Sequence, residues 1–435
     1  MHKRILHIAL PSIASNITVP LLGLVDIGIT GHLGATAYIG AMAVGTSAFS
    51  LIYWLFGFLR MGTGGLTAQA VGSQHQQEVQ IILLRGLLVA GLCAMGLLVG
   101  QTFIADLAFA LFNSGAQVDT LARSYFSWLI WGAPAILGQY VLTGWFLGQQ
   151  NAKQPLWIAI VQNVVNIPAS LFFVLVLGWK MAGVAMGTLI AQYAGLGLSL
   201  FFLFHHYKAH HWRVAWQEVV HRSALLRFLN VNRNIFLRTL CLLAVTTYFT
   251  RLGAAQGEEI LAVNALLMQF YLMASYVLDG FAYAGEALGG SAIGANDRCA
   301  LWQTVRAVFL YAGGLAVGFT LIYVLAAPFF LAVLTDDMAV RMAAIPYVPY
   351  AVVLPVVSFG AFVWDGFYIG ATATRGMLVA MFVSSVAFFL LCYALLPLWG
   401  NHALWMAFLT FLALRTLLQT LLARSRWGIE ATIKG

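Results

Sequence analysis

The residues of this sequence with the clearest capacity for chemistry are acids inside long apolar segments: Asp26, Asp279, Glu286 and Asp365. A carboxyl group at membrane depth is expensive to ionise unless it faces a cavity or a partner. Because desolvation favours the neutral form, such a group can take up and release a proton and, when ionised, attract a cation. The alternative is a static ion pair with a buried arginine, for which the sequence offers Arg60, Arg238, Arg251, Arg306 and Arg415.

Asp26 is the strongest of these functional candidates because it follows residues that bend helices. Pro20, Gly23 and Gly28 lie in the same short stretch, PLLGLVDIG. Proline removes a backbone hydrogen bond and kinks a helix, and the nearby glycines tolerate the bend. We therefore expect protonation of Asp26 to be coupled to the shape of the first helix. The alternative is a kink that serves packing only, with Asp26 held by a fixed partner.

Polar side chains on three consecutive segments could surround Asp26. They recur at helical spacing, so the members of each segment share one helix face. The candidates are Gln139 and Thr143 on one segment, Asn163, Asn166 and Ser170 on the next, and Thr188 on the third. Amides and hydroxyls at this depth also join helices by hydrogen bonds. A cation-coupling pocket and structural helix–helix contacts therefore both remain open as interpretations.

A second set of candidates occurs in the C-terminal half of the chain. Asp279, Tyr283 and Glu286 are spaced i, i+4 and i+7 and share one helix face. Together with Asp365 they could line a substrate cavity. Aromatic residues make up 14% of the chain and can bind cations through their ring faces. This set therefore predicts a cavity for cationic, drug-like molecules.

The elements that position these residues are membrane helices. Of the 435 residues 62% are hydrophobic and 8% are charged, whereas soluble domains carry about 25% charged residues. Apolar stretches long enough to cross a bilayer recur throughout the chain. The sequence predicts an all-α integral membrane protein with helices near 8–31, 37–70, 79–112, 123–148, 155–177, 180–207, 231–252, 258–293, 298–333, 343–370, 375–397 and 400–424.

The distribution of basic residues predicts the orientation of the chain. The net charge of +8 comes mostly from Lys and Arg at the termini and in alternate loops. The intervening loops are richer in acids, which is the positive-inside pattern of membrane proteins. We expect a multi-pass protein of the bacterial cytoplasmic (inner) membrane, with both termini in the cytoplasm and no nucleic-acid partner.

Enzyme and metal motifs are absent from the sequence. It contains no HExxH, P-loop or GxSxG string, and its cysteines form no CxxC pair. His205, His206, His210 and His211 crowd one polar stretch, which we interpret as a solvated interfacial segment and not as a metal site. We therefore expect no cofactor and no bound metal, with a transported ion in their place.

The two halves of the sequence are related by an internal repeat. Thr143–Gly148 (TGWFLG) aligns with Asp365–Gly370 (DGFYIG) at an offset of 366 − 144, or 222 residues. Gln69–Gly72 aligns with Ser291–Gly294 at the same offset. Such repeats are typical of transporters. They predict an N-terminal lobe over 1–207, a cytoplasmic amphipathic linker over 208–230, a C-terminal lobe over 231–424 and a cytoplasmic tail over 425–435.

The sequence resembles the multidrug and toxic compound extrusion (MATE) transporters over essentially its whole length. Leu10-Pro11, Val25-Asp26, Gly31–Gly34 (GHLG) and Gln69–Gly72 carry the likeness. Asn16–Asp26, Leu278–Tyr283, Asp365-Gly366 and Gly400–Trp405 resemble the DinF-like branch of that family. The resemblance implies two six-helix lobes in a V and export of cationic or amphipathic drugs driven by H⁺ or Na⁺.

The resemblance also implies roles for individual residues. Asp26 matches the coupling acid of the first helix, and Pro11 matches the proline that bends that helix. Asn166 and Thr188 match polar positions around the cation site. Ser170 stands where the family often has a second acid.

Two further positions concern the C-terminal half. The acid that some members carry on the seventh helix is missing, and Arg238 lies in its neighbourhood. Asp365 corresponds to an acid on the tenth helix of those members.

The function that we predict is therefore a secondary transporter and not an enzyme. It would be a proton-coupled multidrug antiporter that exports cationic or amphipathic molecules as a monomer. The alternatives are Na⁺ coupling through Asp26, Asn166 and Thr188, a flippase for a lipid-linked substrate, and a membrane-embedded enzyme or sensor. A flippase for pyrophosphate-linked lipids would need a strongly cationic cavity, whereas the cavity candidates lean acidic.

Overall fold

In a computed structural model of the chain the backbone is described for residues 1–31, 36–110, 115–209 and 212–427. Side chains are described for the same residues except 19–22, 24, 27, 31 and 36. Some residues with predicted roles lie outside this part: the side chain of Pro20, His32 to Gly34 of the GHLG string, His210, His211 and the tail from residue 428.

The described backbone consists of helices and short connections, and no strand occurs in it. The helices are α1 (His2–Gly31), α2 (Thr36–Leu55), α3 (Phe58–Gly72), α4 (Gln76–Val99), α5 (Gln101–Ala110), α6 (Ala116–Leu129), α7 (Ala133–Gly148), α8 (Lys153–Leu171), α9 (Lys180–His206), α10 (Trp216–Val219), α11 (Arg222–Ala255), α12 (Glu258–Gly294), α13 (Arg298–Leu334), α14 (Met338–Ala344), α15 (Val348–Gly370), α16 (Thr374–Trp399) and α17 (Asn401–Trp427). The predicted all-α class is confirmed.

Most of these helices have the length and the apolar composition of membrane-spanning helices. Within the described residues, 10 segments are long and apolar enough to cross a membrane. Large apolar side chains point away from the protein, including Leu325 at 83% exposure and Tyr393 at 84%. Since water cannot favourably cover such a surface, the chain is a multi-pass membrane protein.

Predicted helix boundaries differ from the structure at several places. The predicted helix 37–70 is divided at Phe56 and Gly57 into α2 and α3. The predicted helix 79–112 is likewise divided at Gly100. α11 begins at Arg222, so the end of the predicted linker is helical. Hydropathy does not predict this start, because the first turns of α11 contain basic residues and precede its apolar stretch.

The middle of the predicted linker packs against α4. The side chain of Arg85 is 3% exposed, and its Nε and Nη2 donate to the backbone oxygens of Val219 and Glu218 at 3.0 Å each. Gln77 Nε2 donates to Glu218 Oε2 at 2.9 Å, and Val219 is fully buried. This part of the segment is therefore anchored to protein, although Trp216 remains 60% exposed.

The chain forms two compact units. One contains residues 14–232, and the other contains residues 1–13 together with those from 233 onward. The start of α1 is held within the second unit, where His2 Nδ1 lies 2.9 Å from the hydroxyl of Tyr311. The beginning of the first helix is thus packed against the C-terminal half of the sequence.

The same helix–helix contact occurs inside each unit. A Cβ atom built on Gly144 would lie 2.1 Å from the carbonyl oxygen of Arg60, and one on Gly366 would lie 2.0 Å from that of Ala282. The two contacts are related by the repeat offset of 222 residues, 366 − 144 and 282 − 60. α3 and α7 therefore approach each other as closely as α12 and α15 do.

The turns repeat as well. Positive φ values occur at Gln150 (63°) and Thr372 (49°), and at Gly178 (69°) and Gly400 (51°). Each pair has the same offset, 372 − 150 and 400 − 178. The repeat seen in the sequence is therefore also present in backbone conformation, at the points where helices end.

Gly366→Ala should destabilise the protein because the new methyl group would overlap the backbone of α12. Overpacking of this kind typically lowers the free energy of unfolding by about 1–3 kcal/mol. Thermal unfolding of the purified protein in detergent measures the change. Gly314→Ala on α13 is the control, since nothing lies within 4 Å of its Cβ position. Equal stability of the two variants would contradict the tight contact.

Candidate functional site

Asp26 lies on α1 inside the unit of residues 14–232 and is 3% exposed. Thr188 Oγ1 donates to Asp26 Oδ2 at 3.1 Å. Asn166 Nδ2 donates to Thr188 Oγ1 at 3.0 Å, so Asn166 is joined to Asp26 through Thr188. The structure thus brings together three residues that lie on α1, α8 and α9.

Several oxygen atoms at this site have no hydrogen-bond partner. Asp26 Oδ1, Asn166 Oδ1 and Ser170 Oγ are buried and unpaired. Ser170 packs tightly against α9, because a Cβ atom on Gly187 would lie 2.1 Å from its Oγ. Buried polar groups are nearly always hydrogen-bonded, so three unpaired oxygens on α1 and α8 are unusual within the described residues.

Tyr125 is a member of the site that the sequence did not reveal. It lies on α6, is 1% exposed, and its hydroxyl group lies close to Thr188 and Asp26. Its ring packs tightly against Gly45, since a Cβ atom built on that glycine would lie 2.8 Å from the ring. An aromatic residue at helical spacing ordinarily indicates packing, and only the approach of α6 to α9 shows that its hydroxyl group reaches Thr188.

Tyr125→Phe should slow transport by roughly fivefold, because loss of one buried polar contact is worth about 1 kcal/mol. The substitution keeps the ring and removes only the contact to Thr188. The initial rate of dye efflux per folded transporter in inverted vesicles measures the effect. Tyr393→Phe, at an 84% exposed position, is the control. Unchanged efflux in Tyr125→Phe would show that the hydroxyl has no part in the site.

Two other predicted residues of this unit serve different contacts. Asn163 Nδ2 donates to the carbonyl oxygen of Ala159 on its own helix at 2.8 Å. Gln139 Nε2 donates to the carbonyl oxygen of Gln192 at 2.6 Å, and Gln162 Nε2 donates to Gln139 Oε1 at 2.8 Å. The Gln139 amide therefore joins α7 to α8 and α9, whereas the Asn163 amide makes a contact within α8.

Asp365 lies in a buried charge cluster within the other unit. Arg238 Nη2 and Arg415 Nη2 both donate to Asp365 Oδ2. Gln419 Nε2 donates to Asp365 Oδ1 at 2.6 Å. Arg238, Arg415 and Gln419 are each less than a tenth exposed. Asp365 is therefore ion-paired, the alternative that the sequence had left open.

The remaining candidates occupy α12, α7 and α1. Asp279 and Tyr283 are partly exposed on α12, and Glu286 is 1% exposed on the same helix. Thr143 is partly exposed on α7, and Pro11 lies within the continuous helix α1.

Charge separates the two buried aspartates. The ion pairs of the described residues include two to Asp365 and none to Asp26. The two arginines keep Asp365 ionised, whereas the hydrogen bond that Asp26 accepts comes from the neutral side chain of Thr188. A membrane bundle with a duplicated helical contact and a buried carboxyl group that has no ion pair among the described residues has the features of a secondary transporter.

Comparison with known proteins agrees with this class. The family model MatE matches residues 11–172 and 234–394, once in each half. The chain therefore belongs to the MATE family, whose members are secondary transporters and not enzymes. This confirms the family that the sequence motifs indicated.

Relatives match over nearly the whole chain. It is 40% identical to DNA damage-inducible protein F of Escherichia coli K12, over 98% of this chain and 92% of that protein. It is 27% identical to the chloroplastic Protein DETOXIFICATION 44 of Arabidopsis thaliana, over 94% and 80%.

Solved structures share the fold. A MOP superfamily transporter from Pyrococcus furiosus superposes with a TM-score of 0.89 at 17% identity, over 98% of this chain and 96% of that one. An outward-facing multidrug resistance MATE family transporter gives 0.87 at 18% identity, over the same shares.

Proposed function

We propose that the protein is a proton-coupled antiporter that exports cationic or amphipathic small molecules, with Asp26 as the coupling residue. The observation that carries this proposal is the buried Asp26 carboxyl group, which has neutral partners and an unpaired Oδ1. Relatives named as multidrug resistance proteins, such as NorM of Shewanella oneidensis, support export of drugs.

Protonation changes what Asp26 can bind. The ionised carboxylate accepts a hydrogen bond from Thr188, which itself accepts one from Asn166, and it attracts a cation. The protonated form carries no charge and becomes a donor itself, so the contacts between α1, α8 and α9 rearrange. We propose that α1 then bends near Pro20, that the pocket around Asp26 shrinks and that bound drug is expelled. Return to the inward-facing state releases the proton to the cytoplasm.

The topology that goes with this mechanism has twelve spanning segments in two six-helix lobes. The 10 candidate spans leave out α1 and the continuous helical stretch 116–148. Each is long enough to cross the hydrocarbon core. With both added, the chain crosses the membrane an even number of times, so both termini lie on the same side, which the basic loops predict to be the cytoplasm. We propose the inner membrane as the location and a monomer as the working form.

Na⁺ coupling is the second candidate, and a specific observation favours it. Asp26 Oδ1, Asn166 Oδ1 and Ser170 Oγ are unpaired oxygens of the kind that hard cations bind. H⁺ is preferred because one carboxyl group is enough for a proton, whereas Na⁺ requires several oxygens at once. Ser170, in place of a second acid, reduces the negative charge that Na⁺ would meet.

The candidate residues of the C-terminal half concern the charge of the transported substrate. Because Asp365 is neutralised by Arg238 and Arg415, attraction of a cationic substrate by this unit would depend on Asp279 and Glu286, with Tyr283 as an aromatic contact. The cluster has two buried guanidinium groups and one carboxylate, so it carries an excess of positive charge. This excess supports the flippase alternative, because lipid-linked pyrophosphate requires cationic partners.

Dye efflux from inverted vesicles under an imposed pH gradient without Na⁺ tests the proposal. Wild type should pump and Asp26→Asn should not. Glu258→Gln, an exposed acid at the start of α12, is the control. Pumping by wild type only when Na⁺ is supplied would reject the proton but retain the site. Equal pumping by wild type and Asp26→Asn would reject Asp26 as the coupling residue.

A further inference from the structure

A groove of about 530 Å³ lies at the C-terminal end of α13, within the unit that contains residues 233 onward. One wall is formed by Val324, Pro328 and Leu331 of α13. The opposite wall is formed by Met342 of α14 and Val348 of α15. The volume lies in the range of small-molecule sites, so the groove can hold a flexible chain and is more than a surface dimple.

The backbone explains why the groove exists. Pro328 lies inside α13, where its ring removes one hydrogen bond and crowds the preceding turn around Val324. α14 has only 7 residues and passes through a 3₁₀ turn, Ile345–Tyr347, before α15 begins. These two interruptions prevent α13 from packing closely along the α14–α15 junction.

The groove opens on an apolar surface. Leu325 is 83% exposed, Val324 59%, Met338 66% and Met342 60%. Both flanking segments, Arg298–Leu334 and Met338–Gly370, qualify as membrane spans. The mouth of the groove therefore faces hydrocarbon, and the molecules that reach it are lipids or amphiphiles.

One end of the groove is charged. Arg341 Nε donates to the carbonyl oxygen of Thr335 at 2.6 Å, and its Nη2 donates to that of Ala332 at 3.1 Å. The same Nη2 lies 3.5 Å from Asp336 Oδ1, and the Asp336 side chain is fully exposed. Nη1 of Arg341 takes part in none of these contacts. A guanidinium donor and a carboxylate acceptor thus lie side by side where the groove reaches the membrane surface.

We propose that this groove binds one phosphatidylethanolamine molecule of the surrounding bilayer. An acyl chain would lie along α13, the lipid phosphate would accept hydrogen bonds from Arg341, and the ammonium group would donate to Asp336. Adjacent opposite charges match a zwitterionic headgroup, whereas a purely anionic headgroup would meet repulsion from Asp336. A choline headgroup has no N–H group to donate to that carboxylate.

Native mass spectrometry of the full chain in detergent, with phosphatidylethanolamine, phosphatidylglycerol and phosphatidylcholine of identical acyl chains, tests the proposal. Wild type should retain a single phosphatidylethanolamine in preference to the other two. Arg341→Gln should bind it about tenfold more weakly, the effect of losing a charge-assisted hydrogen bond. Asp336→Asn should lose the preference for ethanolamine over choline.

A third variant tests the groove without touching the charges. Val324→Trp, at an exposed position, should fill the groove and weaken binding of all three lipids. Arg298→Gln, at the other end of α13, is the control and should behave like wild type. Equal binding of the three lipids by wild type, or unchanged binding by Val324→Trp, would overturn the proposal. So would displacement of the retained lipid by a transported cationic dye, which would assign the groove to cargo.

Discussion

Asp26→Asn is expected to lower proton-driven dye efflux by at least about tenfold, a loss that corresponds to 1.4 kcal/mol or more of coupling. Asparagine has the shape of the protonated acid and can still contact Thr188 and Asn166, but it can neither carry a charge nor exchange a proton. The site would therefore remain in one of its two states. The initial rate of efflux from inverted vesicles, normalised to the amount of folded transporter, measures the loss.

Two further observations separate coupling from folding. Asp26→Glu keeps a titratable group, so it should retain more pH-dependent efflux than Asp26→Asn. Asp26→Asn should unfold in detergent at a temperature close to that of wild type, because asparagine keeps the shape of the protonated acid. If Asp26→Asn unfolds in detergent and Asp26→Glu is also inactive at every pH, Asp26 holds the helices together and the coupling residue lies elsewhere.

Asp365→Asn is expected to lower the free energy of unfolding by about 3–5 kcal/mol, the effect of removing one partner from a buried ion pair. The substitution leaves the buried guanidinium groups of Arg238 and Arg415 without their shared carboxylate. Asparagine can still accept a hydrogen bond but does not compensate two positive charges. Thermal unfolding in detergent and the amount of protein in the membrane both report the change.

A paired substitution tests the electrostatic cause. Adding Arg238→Gln to Asp365→Asn removes one uncompensated charge and should restore part of the lost stability. Glu258→Gln, at an exposed acid, should leave stability unchanged. Wild-type stability of Asp365→Asn together with a loss of efflux would instead make Asp365 a transport residue, and the cluster would not be a structural ion pair.

The sequence by itself determined the class, the helices and the repeat. Whether a stretch can lie in lipid depends on the apolar character of its own residues. Hydropathy therefore predicts the helix positions to within a few residues for most of the chain. The offset that joins Gly144 to Gly366 came from the sequence and recurs in the structure, because close helix contacts tolerate little besides glycine. Asp26, Asn166 and Thr188 were predicted together, and the structure places them in hydrogen-bond contact.

Tertiary structure decided which polar side chains meet. Asp365 lies 127 residues from Arg238 and 50 from Arg415, and nothing in the local sequence of any of them specifies the pair. Tyr125 resembles a core aromatic until α6 is packed beside α9. Hydropathy is a property of each residue alone, whereas an ion pair or a hydrogen bond depends on which helices pack together and at what rotation. The state of charge of a buried acid therefore follows from the packed bundle and not from its own position in the chain.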